Sequence, residues 1–172
     1  MICEGLSVKK QNFFYLRAQM YIFMKVRKAI SNDIENIVGF QLAMASETEH
    51  ISLDRETVFK GVTSVFEGHS RGDYYVTEEN GKVVGSLLTT FEWSDWRNGT
   101  VLWIQSVYVI PEFRRKGVYR EMYKFIQEIV NKDSNLFGIR LYADISNTVA
   151  HKAYLNLGMK ADHYQTFEWM KS

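Results

Sequence analysis

A mixed α/β layer fold is predicted for this chain, and three observations predict it. Short runs rich in Val, Ile, Tyr and Phe alternate apolar and polar residues, as half-buried strands do. Other stretches repeat their apolar residues at three- and four-residue steps, as amphipathic helices do. Along the chain the two patterns follow the order β-α-α-β-β-β-α-β-α-β, which calls for helices packed on a sheet.

The first strand is "MKVRKA", residues 24–29. A helix follows with Ile34, Ile37, Val38 and Leu42 on one face; Asn32 with Glu35 forms a candidate capping box, and Ser31 is the rival cap. A second helix is expected from Asp54 to about Glu67, carrying Val58, Val62, Val65 and Phe66. The next segment, "DYYVTEENGKVVGSLLTTFEW", reads as a hairpin turned by Asn80-Gly81, since a tight β-turn needs two residues that tolerate positive φ. A second Asn-Gly, at 98–99, joins it to "TVLWIQSVYVI", the most strand-like run of the protein.

After Pro111 the period changes. Val118, Met122, Phe125, Ile126 and Ile129 mark an amphipathic helix of about four turns. A strand is expected over 138–145, and then a short helix that ends at Gly158, a glycine suited to a left-handed C-cap. One or two strands over "MKADHYQTFEWMK" are expected to close the chain.

At 172 residues with 46% apolar and 24% charged composition, the chain can bury a core as one domain without staples. A net charge of +1 gives no global field for nucleic acid or a membrane surface. The single cysteine, Cys3, excludes an internal disulfide framework and a Cys-based zinc site, which fits a reduced, cytoplasmic setting. The four histidines show no metal-ligand spacing. Residues 1–23 carry Lys9, Lys10 and Arg17 among their apolar stretches, so they do not span a bilayer, and no cleavage-site pattern marks a signal peptide. They are read as an N-terminal appendage, an upstream extension or an added helix, before a domain over 24–172.

The chemistry concentrates in "VIPEFRRKGVYR", residues 109–120, where Arg114, Arg115, Lys116 and Arg120 surround Gly117 at a strand-to-helix junction. The first amides of a helix lack internal partners and sit at the positive end of its dipole. A glycine there permits unusual φ and close backbone approach, so the turn suits phosphate oxygens. A basic first turn on a solvated helix is the plain alternative, but cations at a helix N-terminus are unfavourable unless an anion joins them. Neither a Walker A loop nor a GxGxxG fingerprint is present.

These residues resemble the coenzyme-A signature of the GNAT family of N-acetyltransferases: a strand ending in LxVxP, then [Q/R]-x-x-G-x-[G/A], then a helix. Arg114 takes the first place and Gly117 the glycine, while Tyr119 stands where a small residue is usual. "NTVAHKAYLNLGM" resembles the second signature of the family at Asn147, Ala150, Tyr154, Gly158 and Met159. The resemblance implies a mostly antiparallel sheet flanked by helices, with a V-shaped split between two parallel strands. It also implies acetyl-CoA as cosubstrate, no metal, an amine acceptor, and a homodimer as a possible assembly.

By that resemblance, the backbone of Val107, Tyr108 and Val109 would pair with the pantetheine arm, with an amide near Val107 polarising the thioester. Arg114, Arg115, Lys116, Gly117, Val118, Tyr119 and Arg120 would hold the diphosphate, and Asn147 would touch the arm. Tyr154 would donate to the departing thiolate, a role open to a phenol protonated at neutral pH. Its plain alternative is a tyrosine packed on a helix. Glu92 is the first candidate for the base, with Glu49 and His50 behind it. Three of the four tryptophans lie in 91–103, either packed across the hairpin or lining an acceptor pocket. A non-catalytic acyl-CoA-binding sensor is the competing reading. A nucleic-acid binder is disfavoured by the low charge.

Overall fold

The computed structural model of the chain describes residues 24–68, 70–161 and 165–171. The suspected appendage, with Cys3, lies outside them. Five strands form one sheet in chain order: β1 Met24–Lys28, β2 Asp73–Glu79, β3 Lys82–Ser94, β4 Gly99–Val109 and β5 Leu136–Arg140. The first four pair antiparallel, and β4 and β5 pair in parallel. The four main helices are α1 Ile34–Met44, α2 Arg55–Glu67, α3 Val118–Lys132 and α4 Thr148–Asn156. The expected mixed, mostly antiparallel sheet flanked by helices is what forms.

Alternation along β2 divides the interior into two layers, as the pleat of a strand buried on both faces requires. Tyr75 joins Val84, Leu87, Leu102 and the α3 residues Val118, Met122 and Ile126 on one side. Tyr74 and Val76 join Ile37 and Val38 of α1 and Val62 of α2 on the other. The apolar stripe read from the sequence is therefore the face that α3 buries.

Both Asn-Gly turns form, by different geometries. At Asn80-Gly81 both residues have positive φ, 50° and 77°, as a two-residue turn demands. At the second, Ser94 pairs with Gly99 and four residues form the loop, so Asn98 alone is left-handed, at φ 48°, and Gly99 already belongs to β4.

Three expectations are corrected. Helix α1 is entered through a 3-10 turn, Ser31–Asp33, and neither Ser31 nor Asn32 caps it. Instead the Asp33 carboxylate accepts the Ile30 amide at 2.8 Å and two bonds from Arg27 at 2.6 and 3.0 Å. Strand β5 covers 136–140 rather than 138–145, because its ladder with β4 ends at Trp103↔Arg140. Among the described residues of 159–171 there is no strand; 162–164 lie outside the described residues.

Candidate active site

The site is built where β4 outruns its neighbour. Only four register pairs join β4 to β5, from Thr100↔Leu136 to Trp103↔Arg140. Beyond them β4 continues to Val109 while β5 stops, so the strands part into a V and, among the described residues, no strand covers that edge of β4. On the β3 side, Ser86 pairs with Tyr108 and Leu88 with Gln105, so Leu87 alone faces Ser106 and Val107. This is a β-bulge, which leaves a backbone group unpaired and re-aims the strand. It falls within the predicted arm-binding stretch.

The basic turn follows. Pro111–Phe113 form a 3-10 turn, Arg115 and Gly117 have φ of 61° and 87°, and α3 starts at Val118. Among the described residues, no backbone acceptor takes an amide from Arg115 to Arg120; the first bond is Glu121 N–H to the Gly117 carbonyl at 3.1 Å. Successive free amides in such a turn make an anion-binding concavity. Arg120 folds toward it, with a guanidinium nitrogen 3.1 Å from where a Gly117 side chain would begin. The Lys116 ammonium lies over the Phe113 ring at 4.8 Å. Arg114 is committed elsewhere: its Nε donates to the Val109 carbonyl at 2.8 Å and a terminal nitrogen donates to Glu47 at 2.5 Å.

The tyrosine at the small-residue place is accommodated by turning inward. The Tyr119 ring packs against the α3-side core and meets Tyr154 edge-on at 5.5 Å and Tyr123 at 6.2 Å. Its hydroxyl is buried and has no partner among the described residues, and burial raises its pKa strongly. Tyr119 thus leaves the outer surface of the turn to its backbone and links α3 to α4. Tyr154 is half-buried, and burial raises its phenol above the usual 10, so it is protonated at neutral pH. Helix α4 is held at both ends: the Asn147 side chain accepts the Ala150 amide at 3.0 Å. At the other end Gly158, at φ 85°, closes a Schellman motif in which the Met159 amide bonds the Tyr154 carbonyl at 3.1 Å.

The acids and tryptophans are distributed otherwise than the sequence suggests. Both carboxylate oxygens of Glu92 are engaged, by the Trp103 indole N–H and by Arg140, so Glu92 ties β3 to β5 across β4 at the vertex of the V. Glu49 takes a bond from the neighbouring Thr48 hydroxyl at 3.2 Å, and His50 is a left-handed residue at φ 57° lining a cavity with Leu42, Ser46 and Ile51. Trp103 leans on Tyr142 at 6.3 Å, whereas Trp93 and Trp96 are 63% and 91% exposed, outside the core. Sequence reasoning passed over Glu47 and Arg140, whose partners lie 61 and 67 residues away for the first and 48 for the second.

The family model described as "Acetyltransferase (GNAT) family" matches residues 36–159. The chain belongs to that family. Of the solved structures, a possible acetyltransferase from Clostridium difficile 630 is 39% identical, covers 87% of this chain and 98% of its own, and superposes with a TM-score of 0.81. The aminoglycoside N-acetyltransferase AAC(6')-Iy in complex with CoA shares the fold at 13% identity, with 87% and 95% coverage and a TM-score of 0.71. An aminoglycoside acetyltransferase from an uncultured soil metagenomic sample, in complex with sisomicin, does so at 16% identity, with 87% and 97% coverage and a TM-score of 0.69. No curated protein matches. Family membership makes acetyl transfer from an acyl-CoA the general activity of this GNAT domain. No helix among its described residues is long and apolar enough to cross a membrane.

Proposed function

We propose that the protein moves an acetyl group from acetyl-CoA to a primary amine by direct attack within a ternary complex. The observation that carries this reading is the junction at the end of β4, where a strand bulged on its β3 side and uncovered on its β5 side runs straight into the turn of free amides from Arg115 to Arg120. The strand edge suits an extended amide-bearing arm, and the turn suits a diphosphate. Solved proteins of the same fold hold CoA and an aminoglycoside, the two kinds of ligand that this reading asks of the cleft.

In this reading the pantetheine arm lies along Val107, Tyr108 and Val109, and the amide at the bulge polarises the thioester carbonyl, as an oxyanion hole does. The backbone of the turn from Arg115 to Arg120, with the Arg120 guanidinium beside it, frames the diphosphate, and Arg114 holds the start of the turn. The amine, having lost a proton, attacks the carbonyl carbon; as the C–S bond breaks, Tyr154 donates its proton to the thiolate, and the proton shed by the new amide nitrogen returns the phenol to its neutral form. Asn147 acts by capping α4 and so setting the position of Tyr154. Glu92, with both oxygens bonded, braces the vertex of the cleft, and the ammonium proton leaves through water at its mouth. The acceptor is a small-molecule or peptide amine.

Colorimetric detection of free thiol, with acetyl-CoA and a panel of amines, tests the proposal. Amine-dependent thiol release supports it. A protein that binds the coenzyme yet releases no thiol with any amine is a sensor, not an enzyme.

A further inference from the structure

The connection between α1 and α2 reaches into the coenzyme turn through one carboxylate. Glu47 lies in a π-turn, Ala45–Glu49, that directly continues α1. One oxygen accepts the Tyr108 hydroxyl at 2.7 Å and the other accepts Arg114 at 2.5 Å. The Arg114 guanidinium also covers the Tyr108 ring, 5.3 Å from its centroid, and bonds the Val109 carbonyl. Tyr108 itself is only 7% exposed and stacks on Phe40 of α1 at 5.4 Å. Helix α1, the end of β4 and the start of the turn are thereby tied at one point. The Arg114 and tyrosine hydrogen bonds hold the Glu47 carboxyl below the usual range, so it is an anion at neutral pH.

As a contribution to stability the ion pair is minor, since its partners are 43% and 39% exposed and such pairs are worth about 0–1 kcal/mol. Its placement matters more. Arg115, the next residue, is left-handed, and the free amides begin there. Fixing the Arg114 side chain at two points, to Val109 and to Glu47, fixes where that run of amides starts relative to β4. A preorganised anion site binds more tightly than one that must be ordered on binding.

We propose that Glu47, steadied by the Tyr108 hydroxyl, is a positioning residue of the coenzyme turn, acting through Arg114, and that it couples the α1–α2 connection to diphosphate binding. This rests on the coenzyme site of the proposed function. The coupling is reciprocal: whatever occupies the cavity beside the π-turn, lined by Ser46, His50 and Ile51, and shifts Glu47 also shifts coenzyme affinity.

Isothermal titration of wild type, Glu47→Ala and Glu47→Gln with CoA, and with acetyl-pantetheine, which lacks the diphosphate, tests this. Glu47→Ala is expected to raise the CoA dissociation constant about three- to tenfold and to leave acetyl-pantetheine unaffected. Glu47→Gln, which keeps an acceptor, is expected to fall between. Glu47→Ala with Arg114→Ala should be no weaker than Arg114→Ala alone, because the effect passes through that guanidinium. An unchanged CoA constant overturns the proposal, as does equal weakening toward both ligands. Tighter CoA binding also overturns it, since Glu47 would then compete with the diphosphate for Arg114. If Glu47→Ala does not fold, Tyr108→Phe removes one of the two bonds and must give a smaller loss of the same selectivity. A wild type that binds no CoA refutes the site itself, so the two failures are distinguishable.

Discussion

Tyr154 owes its proposed role to its burial. Burial beside the Tyr119 ring raises its phenol above the ordinary value, so the proton is present at neutral pH and remains so as the solution turns alkaline. A donor of this kind contributes at the step that releases sulfur and little to coenzyme binding. Tyr154→Phe is therefore expected to lower kcat about ten- to a hundredfold with the CoA dissociation constant unchanged. The sign of the pH dependence follows. The protonated form is the active one and its pKa is raised, so the wild-type rate should fall only above about pH 10, and that limb should vanish in the phenylalanine variant. Stopped-flow thiol release across pH reads both effects, and equal turnover of the two proteins would remove Tyr154 from the mechanism. Its proximity to the coenzyme turn was legible because motif register places residues 117 and 154 in one family pattern. The Glu47 contact was not: its partners lie 61 and 67 residues away, and no local spacing encodes such a meeting.

The N-terminus of α3 poses the clearest test of the diphosphate site. Gly117 sits at φ 87°, where an L side chain costs about 1–2 kcal/mol, and a Cβ there would touch the guanidinium of Arg120. A glutamate at this position meets the positive end of the helix dipole and recovers part of that strain, while placing a carboxylate where the diphosphate belongs. Gly117→Glu is expected to stay folded, with a loss of about 1 kcal/mol, and to weaken CoA binding at least a hundredfold. Calorimetric titration beside a thermal melt checks both halves, and an unaltered affinity contradicts the assignment. Elements specified by contiguous residues, such as α3 with its stripe and the Gly158 cap, were readable in advance. The end of β5 was not, since the alternation of 138–145 marks residues able to pair and cannot say where β4 turns away. The start of α1 was misread for a similar reason: Asp33 takes the Ile30 amide while gripping Arg27, a residue of the preceding strand.

At the scale of the whole molecule, that same Asp33 decides how the fold responds to acid. Its side chain is 4% exposed, and it anchors α1 to β1 through Arg27, which in turn bonds Glu78 of β2 at 3.0 Å. Burial pushes the Asp33 carboxyl up, but the Arg27 bonds and the Ile30 amide outweigh it and hold the group below its ordinary value. Glu47, Asp54 and Asp144 are also held low, by Arg114, Thr57 and Ser146 respectively, the latter two at the surface. A carboxylate with a depressed folded pKa contributes stability that is complete above its unfolded pKa. That contribution is lost as pH falls through the folded value. These four carboxylates thus act in the same direction. The melting temperature should be level from pH 7 to about 5 and then drop below about pH 4. Asp33→Asn leaves Arg27 a weaker acceptor and should cost about 3 kcal/mol at pH 7, toward the low end for a broken buried pair because Arg27 is a quarter exposed. It should also flatten the acid limb, because the contribution that protonation would remove is already missing. Differential scanning calorimetry of both proteins from pH 3 to 8 measures this: parallel acid limbs would mean that the α1 anchor does not govern acid unfolding.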